Sequence, residues 1–236
     1  MTPKLSHNLK VYSELLNIKH YSDQNLMKLN LKKTNFMVFN KTKKYEFKPK
    51  CNINNTELAT LEEMKILGII LNKDLTWKSN TKMLVTKAYK RLWIIRRLKK
   101  NGASSSDLID IYVKQVRSIL EFAVPVWNSA LTCTEINNLE RVQKSFLHIL
   151  LGRAYTSYSS ALVFSGLERL ADRRTYLCKK FALKTYKNSK HSHWFAINRK
   201  KRITRNKGPT FKVPRFKHER FRKSPVVYLT NLLNSL

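Results

Sequence analysis

Acidic residues are scarce in this chain. Fifteen Asp and Glu stand against 47 Lys and Arg in 236 residues, a formal net charge of +32 and a pI near 10.3. A compact fold with that excess repels itself and is more comfortable beside a polyanion. Nucleic acid is the expected polyanion, because phosphate contacts release counterions and reward basic surface directly. The acids are also scattered, and no Asp-Asp pair occurs. An acidic endonuclease centre is therefore unsupported, since its metals need clustered carboxylates.

Cysteine is sparse as well. Cys51, Cys133 and Cys178 lie far apart and form no CxxC, so neither a zinc ribbon nor a redox motif is supported. The set fits a reducing compartment and three buried thiols. Glycine and proline number only five and six, which favours helices over a turn-rich all-β design. No run of eighteen or more uncharged apolar residues occurs, so neither a membrane span nor a membrane partner is expected. The opening MTPKLSHNLKVYSELL lacks the apolar core of a signal peptide. GxxxxGK[ST], HExxH and GxSxG are missing too. His191 and His193 with Cys178 offer a metal too few ligands, and a surface histidine pair beside Trp194 is the plainer reading.

What is present suits a folded protein: 42% hydrophobic and 11% aromatic residues argue against wholesale disorder. Asn8 to Met27 carries Leu9, Tyr12, Leu15, Leu16 and Ile18 at helical spacing. Asn35 to Asn40 reads as a short strand, with Tyr45 to Phe47 as its hairpin partner. Met64 to Leu71, MKILGIIL, reads as one further strand, where Gly68 marks a bulge or a close approach. From Ser79 the texture becomes helical. Leu84, Ala88, Leu92 and Ile95 form one stripe, ended by Asn101-Gly102. Ser104 to Asp107 supplies N-cap chemistry for a helix running through Leu120, with Pro125 to kink or end it. Asn137 to Leu151, closed by Gly152, then Tyr158 to Phe164 and Leu167 to Tyr186 follow as helices, with Trp127, Phe146 and Leu150 as core. Beyond His191 the chain becomes basic and proline-punctuated. Between Arg173 and Lys223 the only acid is Glu219, so an extended or disordered tail is expected, before an apolar ending at Val226 to Leu236 that docks as a short helix. The fold class is α+β, predominantly α.

Two runs are more specific. Asn25 to Phe39 reads NLMKLNLKKTNFMVF, and Met64 to Trp77 reads MKILGIILNKDLTW. Together they resemble the end of the reverse-transcriptase palm in non-LTR, jockey-like retrotransposons, where a helix leads to an LN-x-x-KT turn, an apolar strand, an LGI strand and L-x-W. The matching positions are Leu29, Asn30, Lys33, Thr34, Met37, Phe39, Leu67, Gly68, Ile69, Leu75 and Trp77. Leu108 to Trp127 is similar to that family's LY-x-x-x-x-RS-x-LEY-x-x-x-VW helix. Leu139 to Lys144 is similar to its LE-x-x-Q-x element, and Phe221 to Asn234 to its ending. Five loose pieces in the right order span nearly the whole chain. Asn72, Asn80 and Phe122 depart from the usual Asp, His and Tyr, as changes a surface tolerates.

The resemblance implies a C-terminal portion of an RNA-directed DNA polymerase. Residues 1–76 would be a small antiparallel palm remnant, residues 77–152 a helical thumb-like region, and residues 153–236 a helical region with a basic tail. Leu67, Gly68 and Ile69 would be the primer grip. Lys33 would be a remnant of the palm lysine near the triphosphate. The Mg²⁺ of the parent family is held partly by a YxDD hairpin that would precede Asn8 and is not in this chain. No catalytic residues, no cofactor and no polymerase activity are therefore expected of this chain by itself. The expected partners are RNA and DNA as template-primer, and the remainder of the polymerase.

Two basic surfaces are candidates for binding without sequence preference. On the helix after Trp77, Lys90, Trp93, Arg97 and Lys100 share the stripe opposite the apolar one. That pattern suits a phosphate backbone with a stacked base, or a solvated face whose tryptophan packs elsewhere. Arg199, Lys200, Lys201, Arg202, Arg205 and Lys207 make the second surface, which fits nucleic acid or a nuclear-targeting signal. Either use places the chain inside the cell, in the nucleus or a cytoplasmic ribonucleoprotein. A stand-alone nucleic-acid binder is the alternative reading, with a ribosomal component behind it. A palm remnant without its neighbours is expected to expose an apolar patch around Phe36, Val38, Ile66 and Ile69.

Overall fold

The computed structural model describes residues 3–39, 51–53, 56–198 and 210–235, with side chains from residue 13 onward. It is an α+β protein, predominantly α, and it divides into two compact units, Met1–Thr76 and Trp77–Leu236.

The first unit begins with helix α1, Pro3–Gln24. It ends where Asn25 folds its side-chain amide back onto the Tyr21 carbonyl at 2.8 Å and Leu26 takes a positive φ of 53°. The LN-x-x-KT stretch is a turn built on Asn30. Its carbonyl accepts from the Lys33 and Thr34 amides and from the Thr34 hydroxyl, and its side chain accepts from the Lys33 amide at 3.2 Å. Strands β1 (Asn52–Ile53) and β2 (Thr56–Glu57) pair antiparallel, and so do β3 (Glu63–Ile66) and β4 (Ile69–Asn72).

Two expectations need correction here. The Asn35 to Asn40 run forms no extended strand in its described part. Phe36 alone bridges, in parallel, to Thr60, and the proposed partner Tyr45 to Phe47 lies outside the described residues. The Met64 to Leu71 run is a hairpin and not one strand. Leu67 (φ 47°) and Gly68 (φ 88°) are its two turn residues, so Gly68 supplies a left-handed turn and not a bulge. Two successive positive φ values match the twist of tight hairpins, which favour Asn-Gly there. A leucine at the first position costs about 1–2 kcal/mol of backbone strain, and this one is 91% exposed.

Among the described residues of this unit one small core cluster forms: Cys51, Ile53 and Leu58 are buried, with Leu15, Leu31 and Phe36 packed against them. The expected patch is only partly present: Ile66 is exposed, whereas Phe36, Val38 and Ile69 are half-buried. Most of the exposed apolar surface lies elsewhere, on Leu16, Ile18, Tyr21, Leu26, Met27 and Leu67. Two-residue and four-residue strand pairs with much of their surface in water have little local stability. Amides of β1 to β4 are expected to exchange at least about a hundredfold faster than those of the long helices that follow. Hydrogen–deuterium exchange on the intact chain measures this, and equal protection in both units would contradict it.

The second unit is helical. Helix α2 (Lys78–Lys100) buries Asn80, Thr81, Leu84, Ala88, Leu92 and Ile95. Asn80 is thus a core residue and not a surface-tolerable change. Helix α3 (Ser105–Ile111) is capped by the Ser104 hydroxyl, which accepts from the Asp107 amide at 3.1 Å. It passes through a wider π-helical turn, Tyr112–Arg117, into α4 (Ser118–Leu120). Leu108, Tyr112, Val116 and Leu120 are all fully buried. A strict four-residue repeat drifts by about 40° per step on a 3.6-residue helix. The wider turn absorbs that drift and keeps the four side chains on one face.

Ala123, at φ 52°, then turns the chain, and Pro125 sits in the first turn of α5 (Val124–Trp127). The Trp127 indole is fully buried and donates to the Phe122 carbonyl at 2.9 Å. Helix α6 (Cys133–Leu151) starts four residues earlier than expected, because Thr132 and Glu135 close a capping box. Cys133 opens that helix and is exposed, so the expectation of three buried thiols holds only for Cys51 and Cys178.

Helices α7 (Tyr158–Ser165) and α8 (Leu170–Lys187) follow. After His191 two described segments pair: the Asn198 amide donates to the Thr210 carbonyl at 2.9 Å and the Lys212 amide to the Ala196 carbonyl at 2.7 Å. Phe211 anchors that pairing. Its amide donates to the Asn234 side chain at 2.8 Å, its carbonyl accepts from it at 2.9 Å, and its ring meets Tyr186 edge-on at 4.9 Å. The chain ends through α9 (Glu219–Arg222) and α10 (Pro225–Asn234), which packs Val227, Leu229, Thr230 and Leu233 inward, with α8 as its main neighbour.

Candidate nucleic-acid interface

Helix α2 carries nine Lys and Arg and no Asp or Glu between Lys78 and Lys100. Its apolar stripe is buried mainly against α6 and the π-helical turn, where each fully buried leucine contributes about 1.5–3 kcal/mol. The geometry of a straight helix then leaves Lys90, Trp93, Arg97 and Lys100 on the opposite side, and all four are exposed. Trp93 keeps 58% of its surface in water, with the Arg97 guanidinium over its ring at 5.4 Å. The packed-tryptophan alternative therefore does not apply to it. Among the described residues none of the α2 cations forms an ion pair, so their charge stays available to a polyanion.

Beside this stripe, the last turns of α2 and α6 form an open groove of about 420 Å³. It is lined by Arg96, Lys99, Lys100, Ser145, His148 and Ile149. His148 is held by stacking on Tyr155 at 3.6 Å, and the Tyr89 hydroxyl reaches Ser145 Oγ at 3.4 Å. Arg96, Lys99, Ser145 and His148 were not legible as site residues, because their meeting depends on how two helices distant in sequence dock.

Beneath these surfaces lies a buried polar network. The Gln143 amide donates to the Tyr158 hydroxyl at 3.1 Å and the Glu168 carbonyl at 2.8 Å, while its oxygen accepts from the Tyr112 hydroxyl at 2.8 Å. Glu140 Oε1 accepts from the Tyr158 hydroxyl and from the Leu170 amide at 3.2 Å. Burial, and then the Glu140 bond, raise the Tyr158 phenol above its ordinary range, and burial does the same to Tyr112. Arg174, only 2% exposed, donates to Asn128 Oδ1 at 3.0 Å. Burial lowers its pKa, and the Glu140 charge is the first influence opposing that. Cys178 is pushed up to about 11 by burial. Arg173 and Arg117 both reach Glu121 Oε1, at 3.0 and 3.5 Å. The acids and amides of LEFAVPVW and LERVQK thus serve the interior of this unit. They fix where α6 stands, and through it the groove.

The other candidate residues are placed as follows. Lys33 is exposed in the Asn30 turn, and Leu67, Gly68 and Ile69 form the tip and return of the β3–β4 hairpin. The LGI element is therefore a turn with an exposed leucine and not a flat strand. Arg199, Lys200, Lys201, Arg202, Arg205 and Lys207 lie outside the described residues. His191 and His193 both stand beside Trp194, at 5.6 and 6.4 Å between ring centres. Among the described residues no three His, Cys, Asp or Glu side chains converge as a metal site, and no helix is long and apolar enough to cross a membrane.

No family model, no curated protein and no solved structure matches this chain. What stands is the class that fold and surface define: a strongly basic, mainly helical α+β protein with an exposed cationic and aromatic helix face.

Proposed function

We propose that this chain is a polynucleotide-binding protein without sequence preference, corresponding to the C-terminal part of a non-LTR retrotransposon reverse transcriptase and without polymerase activity of its own. The observation that carries the binding reading is α2: nine cations, no acid, no ion pair among the described residues, and an exposed tryptophan between two of the cations. Phosphate contacts of this kind supply affinity but no base readout. The polymerase reading rests on the ordered motif resemblance, under which Leu67, Gly68 and Ile69 take the primer-grip position and Lys33 that of the palm lysine. No polymerisation step is derived for this chain, whose sequence lacks an Asp-Asp pair.

A stand-alone binder is the second reading. It is favoured by the extensive core of the second unit, in which Leu108, Tyr112, Trp127, Leu139, Phe146 and Leu170 are fully buried. The exposed apolar side chains of Leu16, Ile18, Leu26, Met27 and Leu67 in the first unit favour the remnant.

The test is binding of the full chain to RNA and DNA oligonucleotides of unrelated sequence, alongside primer extension with Mg²⁺. Affinities within a few-fold of one another and no extension are expected. No binding at low salt would sink the proposal, and extension above a contaminant control would sink its second half.

A further inference from the structure

We infer, resting on the polynucleotide reading above, that the α2 face takes single strands. An unpaired base stacks on Trp93, and an adjoining backbone phosphate seats in the groove of Arg96, Lys99, Lys100 and His148. Trp93 is 58% exposed on a helix whose other side is fully packed. An indole left in water offers a flat apolar face that every unpaired base can use and that the inside of a duplex cannot reach. Arg97 lies over the ring at 5.4 Å, which sets a cation beside a stacked base. Lys100 belongs both to the Trp93 stripe and to the groove, so the two places are continuous.

The groove has the chemistry of a phosphodiester site. Arg96 and Lys100 stand one helical turn apart with Lys99 between them. Ser145 and His148 face them from α6, and no carboxylate lines the groove. The ends of α2 and α6 together present about one negative charge, which the three cations exceed about threefold. Stacking on Tyr155 at 3.6 Å holds the His148 ring in place, so this one group of the groove is arranged before any ligand arrives.

Fluorescence anisotropy on the full chain tests this, with a labelled oligothymidylate of about twenty nucleotides and a blunt duplex of the same length. The single strand is expected to bind about tenfold more tightly or better. Trp93→Ala is expected to lower single-strand affinity about tenfold and to leave duplex affinity nearly unchanged, while Trp93→Phe keeps most of it. Arg96→Gln with Lys99→Gln should flatten the single-strand salt dependence by about one to one and a half in log–log slope. These side chains are exposed, so the variants should keep the wild-type circular dichroism. Equal affinity for duplex and single strand, or no loss in Trp93→Ala, overturns the inference. Steep salt-dependent binding by the wild type in that case leaves the polynucleotide reading standing. Loss of all binding at low salt removes both.

Discussion

Replacing Glu140 by alanine is expected to destabilise the helical unit by about 2–5 kcal/mol, a large share of the roughly 5–15 kcal/mol that holds a domain together. The carboxylate is buried. It accepts from the Tyr158 hydroxyl and the Leu170 amide, and its charge is the largest of several that offset the burial of Arg174. Its removal leaves two donors without their acceptor and withdraws one of the charges that offset the burial of Arg174, which costs more than the loss of a surface pair. Glu140→Gln keeps an acceptor of the same shape and loses only the charge, so it should cost less, about 1–3 kcal/mol. Urea unfolding followed by far-ultraviolet circular dichroism checks both variants. If the alanine variant cost under about 1 kcal/mol, the network would not be what positions α6.

The second large effect is on binding. Neutralising Lys90, Arg97 and Lys100 together to glutamine is expected to lower affinity for any polynucleotide about a hundredfold near physiological salt. It should also cut the log–log salt slope by about two to three. All three are exposed and form no ion pair among the described residues, so stability should change by no more than about 0.5 kcal/mol each. Titrations at several salt concentrations separate this from a folding defect. An unchanged slope with weaker binding would point away from these cations as phosphate contacts.

How much of this was legible beforehand follows from what each feature depends on. The α2 stripe was readable because one long helix turns four apolar residues inward by its own period, which fixes where Lys90 and Trp93 must lie. The Ser104 cap was readable for the same local reason. The start of α6 was also local, since Thr132 and Glu135 spell a capping box, but the apolar count began later and passed over it. The β3–β4 hairpin was hidden because its turn residues, Leu67 and Gly68, sit inside an unbroken apolar run. A leucine at positive φ runs against residue preference there, so nothing local announces it. The anchoring of Phe211 was hidden for another reason: the Asn234 side chain grips its backbone in a contact across twenty-three residues. The groove depends on α2 docking against α6, which no single segment encodes.

The measurement that bears most directly on the central claim is the equilibrium affinity of the intact chain for a short oligonucleotide as sodium chloride rises. With six to ten phosphate contacts, affinity should fall by about three to five decades between roughly 50 and 200 mM, on a straight log–log line. A flat response over that range would mean that the +32 charge serves some purpose other than a phosphate backbone, and would contradict the account.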